Sequence, residues 1–299
     1  MEKRPWEQVL PRDLRLMPDR LSLQDAEKLE ELRLRAGFPM AMSIAGQEQV
    51  PSLWKERVLT ETDLRRVLEV AGKGSVHAIL DQLRSGYVTA PGGVRLGICG
   101  EAAVEDGRVR AFRTVTSLAI RIPHTIPGVA GPVLPDLFED GRLQSTLILS
   151  PPGVGKTTLL RDLIRCLSVG EGVPPLCVGV ADERGELGSG DLRAFLGPRT
   201  DVLENVPKAA ALLMLLRGMA PQVLAADEIT DPADIRAMEQ AAGCGAVLLA
   251  TAHGSDLEDL RRRPLFRRFL ETGIFRRFIL LGMENGKRTY QVWDEEGRL

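Results

Sequence analysis

Beyond Ser145 the apolar residues gather into short unbroken runs, TLIL, LCVGVA, QVLAA and AVLLATA, instead of alternating with polar ones. Strands that read this way are covered on both faces, as in a parallel sheet flanked by helices. Helical stretches lie between the runs. TTLLRDLIRCL puts Leu159, Leu160, Leu163, Ile164 and Leu167 on one face, and PKAAALLMLLRGM opens on a proline and is apolar nearly all round. Strands alternating with helices predict a parallel, doubly wound α/β sheet.

The first part of the chain follows another pattern. Residues Leu21 to Ala36 are charged and leucine-rich at helical spacing, which predicts a helix. PMAMSIAG, GYVTAPGGVRLGICG, GRVRAF and SLAIRIP follow as shorter runs broken by glycine. They predict an α+β domain with hairpins, Pro91-Gly92-Gly93 forming one turn. The stretch richest in proline and glycine, Arg121 to Ser145, separates the two patterns. The expected division is an N-terminal α+β domain over 1–125, a linker over 126–145 and an α/β domain over 146–299.

Composition narrows the function classes. A chain of 299 residues, 44% apolar and 27% charged, is neither disordered nor fibrous, and its formal net charge of −2 commits it to neither nucleic acid nor acidic lipid. No apolar run approaches the roughly twenty residues that span a bilayer. The opening MEKRPWEQVLPRDLRL is charged throughout and is not a secretory signal, so a membrane role is expected only through a partner or a surface. Cys99, Cys166, Cys177 and Cys244 are scattered without metal-ligand spacing, which fits a reducing cytosol. Cys166 and Cys177 stand in apolar surroundings and are expected to be buried.

Candidate chemistry begins at Thr146–Asp162, TLILSPPGVGKTTLLRD. The phosphate-loop pattern G-x-x-x-x-G-K-[ST] has Ser150 where it asks for glycine. Such a loop brings backbone N–H groups onto phosphate oxygens at a helix N-terminus, here through Ser150, Pro151, Pro152, Gly153, Val154 and Gly155. Glycine is needed where the chain turns tightly, at Gly153 and Gly155. Lys156 is placed to reach the β- and γ-phosphates of ATP, the Thr157 hydroxyl to hold Mg²⁺, and Thr158 to bond a phosphate nearer the sugar. Serine at 150 is strained only if that position demands positive φ.

PQVLAADEIT lies about seventy residues further on, a separation that suits one nucleotide-binding fold. Asp227 at the end of its strand is the candidate to hold magnesium through water, and Glu228 to polarise the attacking water. VGVADERGEL ends another strand with Asp182, Glu183 and Glu186, where ligands of parallel sheets gather, so one of these is an alternative base. AVLLATAHG ends a third with Thr251 and His253, the latter a candidate γ-phosphate sensor. His77 and His124 lack such context and read as structural.

SPPGVGKTTLLRD, VADERGEL, TDVLENVPKAAALLMLLRGMAPQVLAADEIT and LLATAHG, in that order, resemble the stage III sporulation protein AA family, which is related to the hexameric secretion ATPases of type II and type IV systems. ELRLRAGFPM, GYVTAPGGVRLGICG and SLAIRIP resemble the family's first domain, so the likeness covers nearly the whole chain. It implies an α/β fold: a RecA-like P-loop ATPase domain on a parallel sheet, preceded by a smaller α+β N-terminal domain. By the same resemblance Lys156 and Thr157 are the Walker A pair and Asp227 and Glu228 the Walker B pair. Glu183 and Glu186 correspond to the catalytic acidic box and His253 to the histidine box. Arg217, Arg113 and Arg121 are candidates for the arginines such ATPases place at the inter-domain or inter-subunit nucleotide site. The resemblance further implies a homo-oligomer, a hexamer, in the mother-cell cytoplasm. There it would lie at the inner face of a membrane with membrane proteins of the same sporulation operon, at the channel to the forespore.

Two other readings stand beside this one. RRRPLFRRFLETGIFRRF, Arg261 to Phe278, is basic with interleaved aromatics, and would serve a nucleic-acid-linked ATPase if its phenylalanines stacked on bases. The reading preferred is that the aromatics pack inward and the arginines face water, making nucleic acid an unexpected partner. A scaffold that binds nucleotide with little turnover is the non-enzymatic alternative.

Overall fold

Alternation decides the fate of the segment expected to be one helix. Leu32 and Leu34 are buried while their neighbours Arg33 and Arg35 are not, a period of two, and the chain runs there as a strand. Only Leu23–Glu27 is helical. The computed structural model that shows this describes residues 4–44, 46–72, 86–90, 93–105, 108–189, 192–284, 287–294 and 297. The chain divides into two units, residues 1–124 and 125–299.

The first unit contains α1 (Arg12–Arg15), α2 (Leu23–Glu27), β1 (Leu29–Arg35), β2 (Ala41–Ile44), β3 (Gln47–Gln49), α3 (Glu61–Ala71), β4 (Tyr87–Thr89), β5 (Arg95–Glu105) and β6 (Arg108–Arg121). Its strands form one antiparallel sheet in the order β3-β2-β1-β6-β5-β4. The expected hairpins are present, the longest being β5–β6. Its register shifts at Gly100, where a Cβ would stand 2.0 Å from the Thr114 carbonyl oxygen, so only glycine fits. The core gathers Trp6, Trp54, Leu32, Leu34, Leu64 and Ile120. Pro91, Gly92 and His77 lie outside the described residues. His124 sits 2.8 Å from the Leu29 carbonyl oxygen through Nε2. Arg113 pairs with Glu101 and Arg121 with Glu31 on the sheet surface.

The second unit contains β7 (Phe138–Glu139), β8 (Arg142–Leu143), β9 (Thr146–Ser150), α4 (Lys156–Val169), β10 (Val178–Asp182), α5 (Leu192–Phe195), β11 (Thr200–Glu204), α6 (Lys208–Met219), β12 (Val223–Ala226), α7 (Pro232–Gly243), β13 (Val247–His253), α8 (Leu257–Arg262), α9 (Pro264–Glu271), β14 (Arg277–Glu284) and β15 (Lys287–Trp293). The main sheet runs β11-β10-β12-β13-β9-β14-β15, parallel as far as β14, with β15 antiparallel at the edge. Every residue of β9, β10 and β12 is buried, as unbroken apolar runs require. Ile148 packs towards Leu159, Leu160 and Leu163 of α4, while Leu147 and Leu149 join the opposite core with Leu212 of α6 and Met238 of α7.

The segment expected to be a linker lies inside the second unit. Ala130, Val133, Leu134, Leu137 and Leu143 are buried in the α4-side core, and the Ala130 N–H donates to Asp162 Oδ2 at 2.8 Å. In the basic segment Phe266, Phe269, Phe275 and Phe278 are buried, Phe269 meeting Phe275 edge-on at 5.1 Å. Those rings are therefore not available to stack on bases, and the best support for the nucleic-acid reading goes with them. Cys166 is buried as expected. Cys177 is exposed, because it precedes the first buried residue of β10 at the sheet's rim.

Candidate active site

β9 delivers the chain to the candidate phosphate loop at Ser150, whose hydroxyl donates to the Pro151 carbonyl oxygen at 2.7 Å. Outside glycine, positive φ among the described residues falls at Asp140, Asn205, Ala220 and Glu228. Ser150 therefore carries no left-handed strain. Gly153 and Gly155 do need their freedom, with φ of 78° and 113°. Pro151, Pro152 and Gly153 are exposed, Val154 and Gly155 half-buried, and Gly155 caps the N-terminus of α4. Lys156, Thr157 and Thr158 make its first turn.

Three strand ends, those of β9, β12 and β13, converge on that turn. Thr157 Oγ1 donates to Asp227 Oδ2 at 2.6 Å, and the Thr251 hydroxyl donates to the other Asp227 oxygen. Lys156 is buried; its Nζ stands 2.9 Å from His253 Nδ1 and donates to the Ser150 carbonyl oxygen at 3.4 Å. Burial lowers its pKa, and the negative charges of Asp227 and Glu228 oppose that shift. His253 Nε2 lies 2.6 Å from Glu228 Oε1, while Arg184 pairs with Oε2. An ammonium at Nδ1 and a carboxylate at Nε2 favour the tautomer with its proton on Nε2. Burial pushes the Glu228 carboxyl up, but the His253 hydrogen bond and the Arg184 charge outweigh it and hold the group below its ordinary range.

Glu228 is also the residue of this set with an unusual backbone, φ 54°. A non-glycine residue there costs about 1 kcal/mol or more. Two contacts hold it. Its N–H donates to Thr251 Oγ1 at 2.8 Å, and its carbonyl accepts from the buried Lys208 Nζ at 2.6 Å. Lys208 lies 3.5 Å from Asp234 Oδ2, which keeps the buried ammonium compensated.

The acidic loop after β10 behaves otherwise. Asp182 accepts from the N–H groups of Glu186, Leu187 and Gly188 at 2.8, 3.0 and 2.8 Å and is buried, so it anchors its own loop. Burial raises its pKa against those three donors. Glu183 is exposed and lies 3.8 Å from Lys208 Nζ; half-buried Glu186 offers its carbonyl to Arg161. Arg217 is not brought to the cluster within the chain. It is exposed near the far end of α6, nine residues from Lys208, about 14 Å at the helical rise.

Arg184, Lys208 and Arg288 went unread in the sequence. A lysine opening an apolar helix, against the helix dipole, was a usable signal for Lys208. Arg184 had only its place in the acidic run, and Arg288 had none.

Residues 2–299 match the family described as sporulation stage III, protein AA. The chain belongs to this family. It is 35% identical over 298 residues to the stage III sporulation protein AA of Bacillus subtilis (strain 168), covering 98% of this chain and 95% of that one. The fold of this family member is similar to that of the Yersinia pseudotuberculosis ATPase DotB, with a TM-score of 0.65 and 15% identity over 96% of this chain and 80% of that one. It is also similar to the pilus retraction motor PilT solved with bound ADP, with a TM-score of 0.58 and 17% identity over 89% and 78% of the two chains. The second unit thus has the RecA-like P-loop ATPase fold. Among the described residues no helix is long and apolar enough to cross a membrane.

Proposed function

We propose that this protein hydrolyses ATP with Mg²⁺ as an oligomeric, secretion-type motor. The observation that carries the reading is one connected set at the start of α4: Thr157 on Asp227, Lys156 on His253, and His253 on Glu228. The loop from Ser150 to Gly155 leads to a helix N-terminus whose dipole favours phosphate, with Thr158 adding a hydroxyl. The Thr157 hydroxyl and Asp227 carboxylate form a hard oxygen pair suited to Mg²⁺, which would neutralise phosphate charge there. Lys156 supplies the cation for the terminal phosphates. Glu228, aligned by His253, orients and deprotonates the attacking water. His253 touches both the lysine and the glutamate, so it relays whether a γ-phosphate has drawn Lys156 away. Glu183 and Glu186 flank this set, and Arg217 is assigned to a neighbouring subunit's site. Family membership supports action in the mother cell, as a hexamer at the inner face of a membrane with proteins of its own operon.

A second reading has its own observation. Both carboxylate oxygens of Glu228 are engaged, by His253 and Arg184, which favours a nucleotide-binding scaffold silent until Arg184 is withdrawn. ATP hydrolysis measured alongside mass in solution, for wild type, Lys156→Ala and Arg184→Ala, separates the readings. Turnover that rises with protein concentration and vanishes in Lys156→Ala supports the motor. Binding without turnover, with turnover appearing in Arg184→Ala, supports the latched scaffold. A wild type that binds no nucleotide ends both.

A further inference from the structure

We infer that Arg288 is a nucleotide-binding residue, carried to the phosphate loop by the β14–β15 hairpin, and that it takes the α-phosphate of a nucleoside di- or triphosphate. The inference rests on the proposed nucleotide site and adds a side to it. β15 is the edge strand beyond β14, which pairs with β9. From it Arg288 reaches the loop, and its Nε donates to the Val154 carbonyl oxygen at 3.0 Å. The approach is close: a Cβ on Gly155 would stand 3.1 Å from both Nε and Nη2 and 3.2 Å from Cζ. Gly155 is glycine for two independent reasons, its φ of 113° and the guanidinium lying against it.

A guanidinium has five N–H donors, and among the described residues this one spends a single donor, on a neutral carbonyl. It is exposed, and among the described residues no carboxylate pairs with it. It also lies beside the positive end of α4, where a cation is disfavoured. A polyphosphate on the loop turns that repulsion into attraction and uses the remaining donors, a fork that matches phosphate oxygens.

Which phosphate it takes follows from the two sides of β9. Asp227, Glu228 and His253 stand at the ends of β12 and β13 on one side, and Arg288 comes from the β14–β15 side. The reacting phosphate belongs beside the carboxylates and His253. Arg288 therefore faces the other end of the polyphosphate, which ADP and ATP share.

The test is titration of the full chain with ADP and with ATP, Mg²⁺ present, at low and high salt. Wild type, Lys156→Ala, Arg288→Ala and Arg288→Lys are compared. Arg288→Ala is expected to weaken ADP and ATP alike, by about tenfold, the loss typical of a charge-assisted contact. It should also flatten the salt dependence of Kd, and Arg288→Lys should recover most of the affinity. Unchanged affinity in Arg288→Ala, or a loss confined to ATP, overturns the assignment. So do equal losses in the alanine and lysine variants with unaltered salt dependence, which would mark a brace on Val154 alone. If Arg288→Ala loses its native melting transition, Arg288→Gln, which keeps a donor without the charge, gives the same comparison. A wild type that binds neither nucleotide overturns the nucleotide site itself; binding lost in Lys156→Ala but intact in Arg288→Ala overturns only the role of Arg288.

Discussion

Two adjacent parallel strands lead into the same three residues, Ala181-Asp182-Glu183 at β10 and Ala226-Asp227-Glu228 at β12, with Ala181 paired to Ala226. Their side chains go to different work because the main chain leaves the sheet differently. After Glu183 the chain turns at Gly185, φ 67°, and folds the N–H groups of residues 186–188 back over Asp182. After Glu228 it stays with the neighbouring strand, the Ile229 N–H donating to the Thr251 carbonyl oxygen at 2.9 Å. Among the described residues Asp227 is left to side-chain hydroxyls, those of Thr157 and Thr251. The next few residues, and not the acid pair itself, decide which carboxylate anchors a loop and which one faces the phosphate loop.

Substitutions at matched positions test that difference. The largest effect is expected at Asp227: Asp227→Ala should lower ATP hydrolysis by about 10³-fold, measured as phosphate release, because the proposed magnesium site would lose its protein carboxylate. Glu228→Gln should cost about 10²- to 10³-fold in the same assay while ADP binding persists, whereas Glu183→Gln should cost less than about tenfold. Comparable losses at the two glutamates would erase the distinction. Stability should show the reverse order. Asp182→Asn turns an amide N–H₂ towards backbone N–H groups and is expected to cost about 2 kcal/mol in chemical denaturation, while Asp227→Asn should cost under about 1 kcal/mol.

The smallest effect concerns pH. Burial raises the Glu228 carboxyl, yet His253 and Arg184 bring it below its ordinary value. A carboxyl with a depressed folded pKa adds stability above its unfolded value, about 4.3, and that contribution is lost as pH falls through the folded value. The melting-temperature difference between wild type and Glu228→Gln should therefore move against wild type on acidification below about pH 4.3. A difference constant across that range would mean the His253 and Arg184 contacts do not favour the ionised form.

Legibility in the sequence followed the range of the constraint. β9, α4, β12 and β13 were readable because unbroken burial, positive-φ glycines and an amphipathic face are local properties. Lys156, Thr157, Asp227, Glu228 and His253 were each readable as candidates, and the structure brings them into one set. β1 was misread because leucines at 32 and 34 satisfy a strand while those before them suit a helix. The segment 126–145 looked like a linker by composition, yet its few apolar residues find a core against α4. The resemblance offers Arg217 for an inter-domain or inter-subunit site, and within one chain it lies about 14 Å along α6 from Lys208. Arg288 meets Val154 across 134 positions of chain, and nothing near it in sequence announces the contact.

The strand order also has a consequence in time. β9 pairs with β13 and β14 and with neither β10 nor β12, so the first strand of its sheet to be synthesised is the one that waits for neighbours. Val247 follows Ser150 by roughly a hundred residues, which at about 5–20 residues per second is about 5–20 s on the ribosome. During that interval an apolar strand, buried throughout in the finished fold, has no partner on either edge. Nascent chains stopped before Val247 should accordingly depend on chaperones or aggregate.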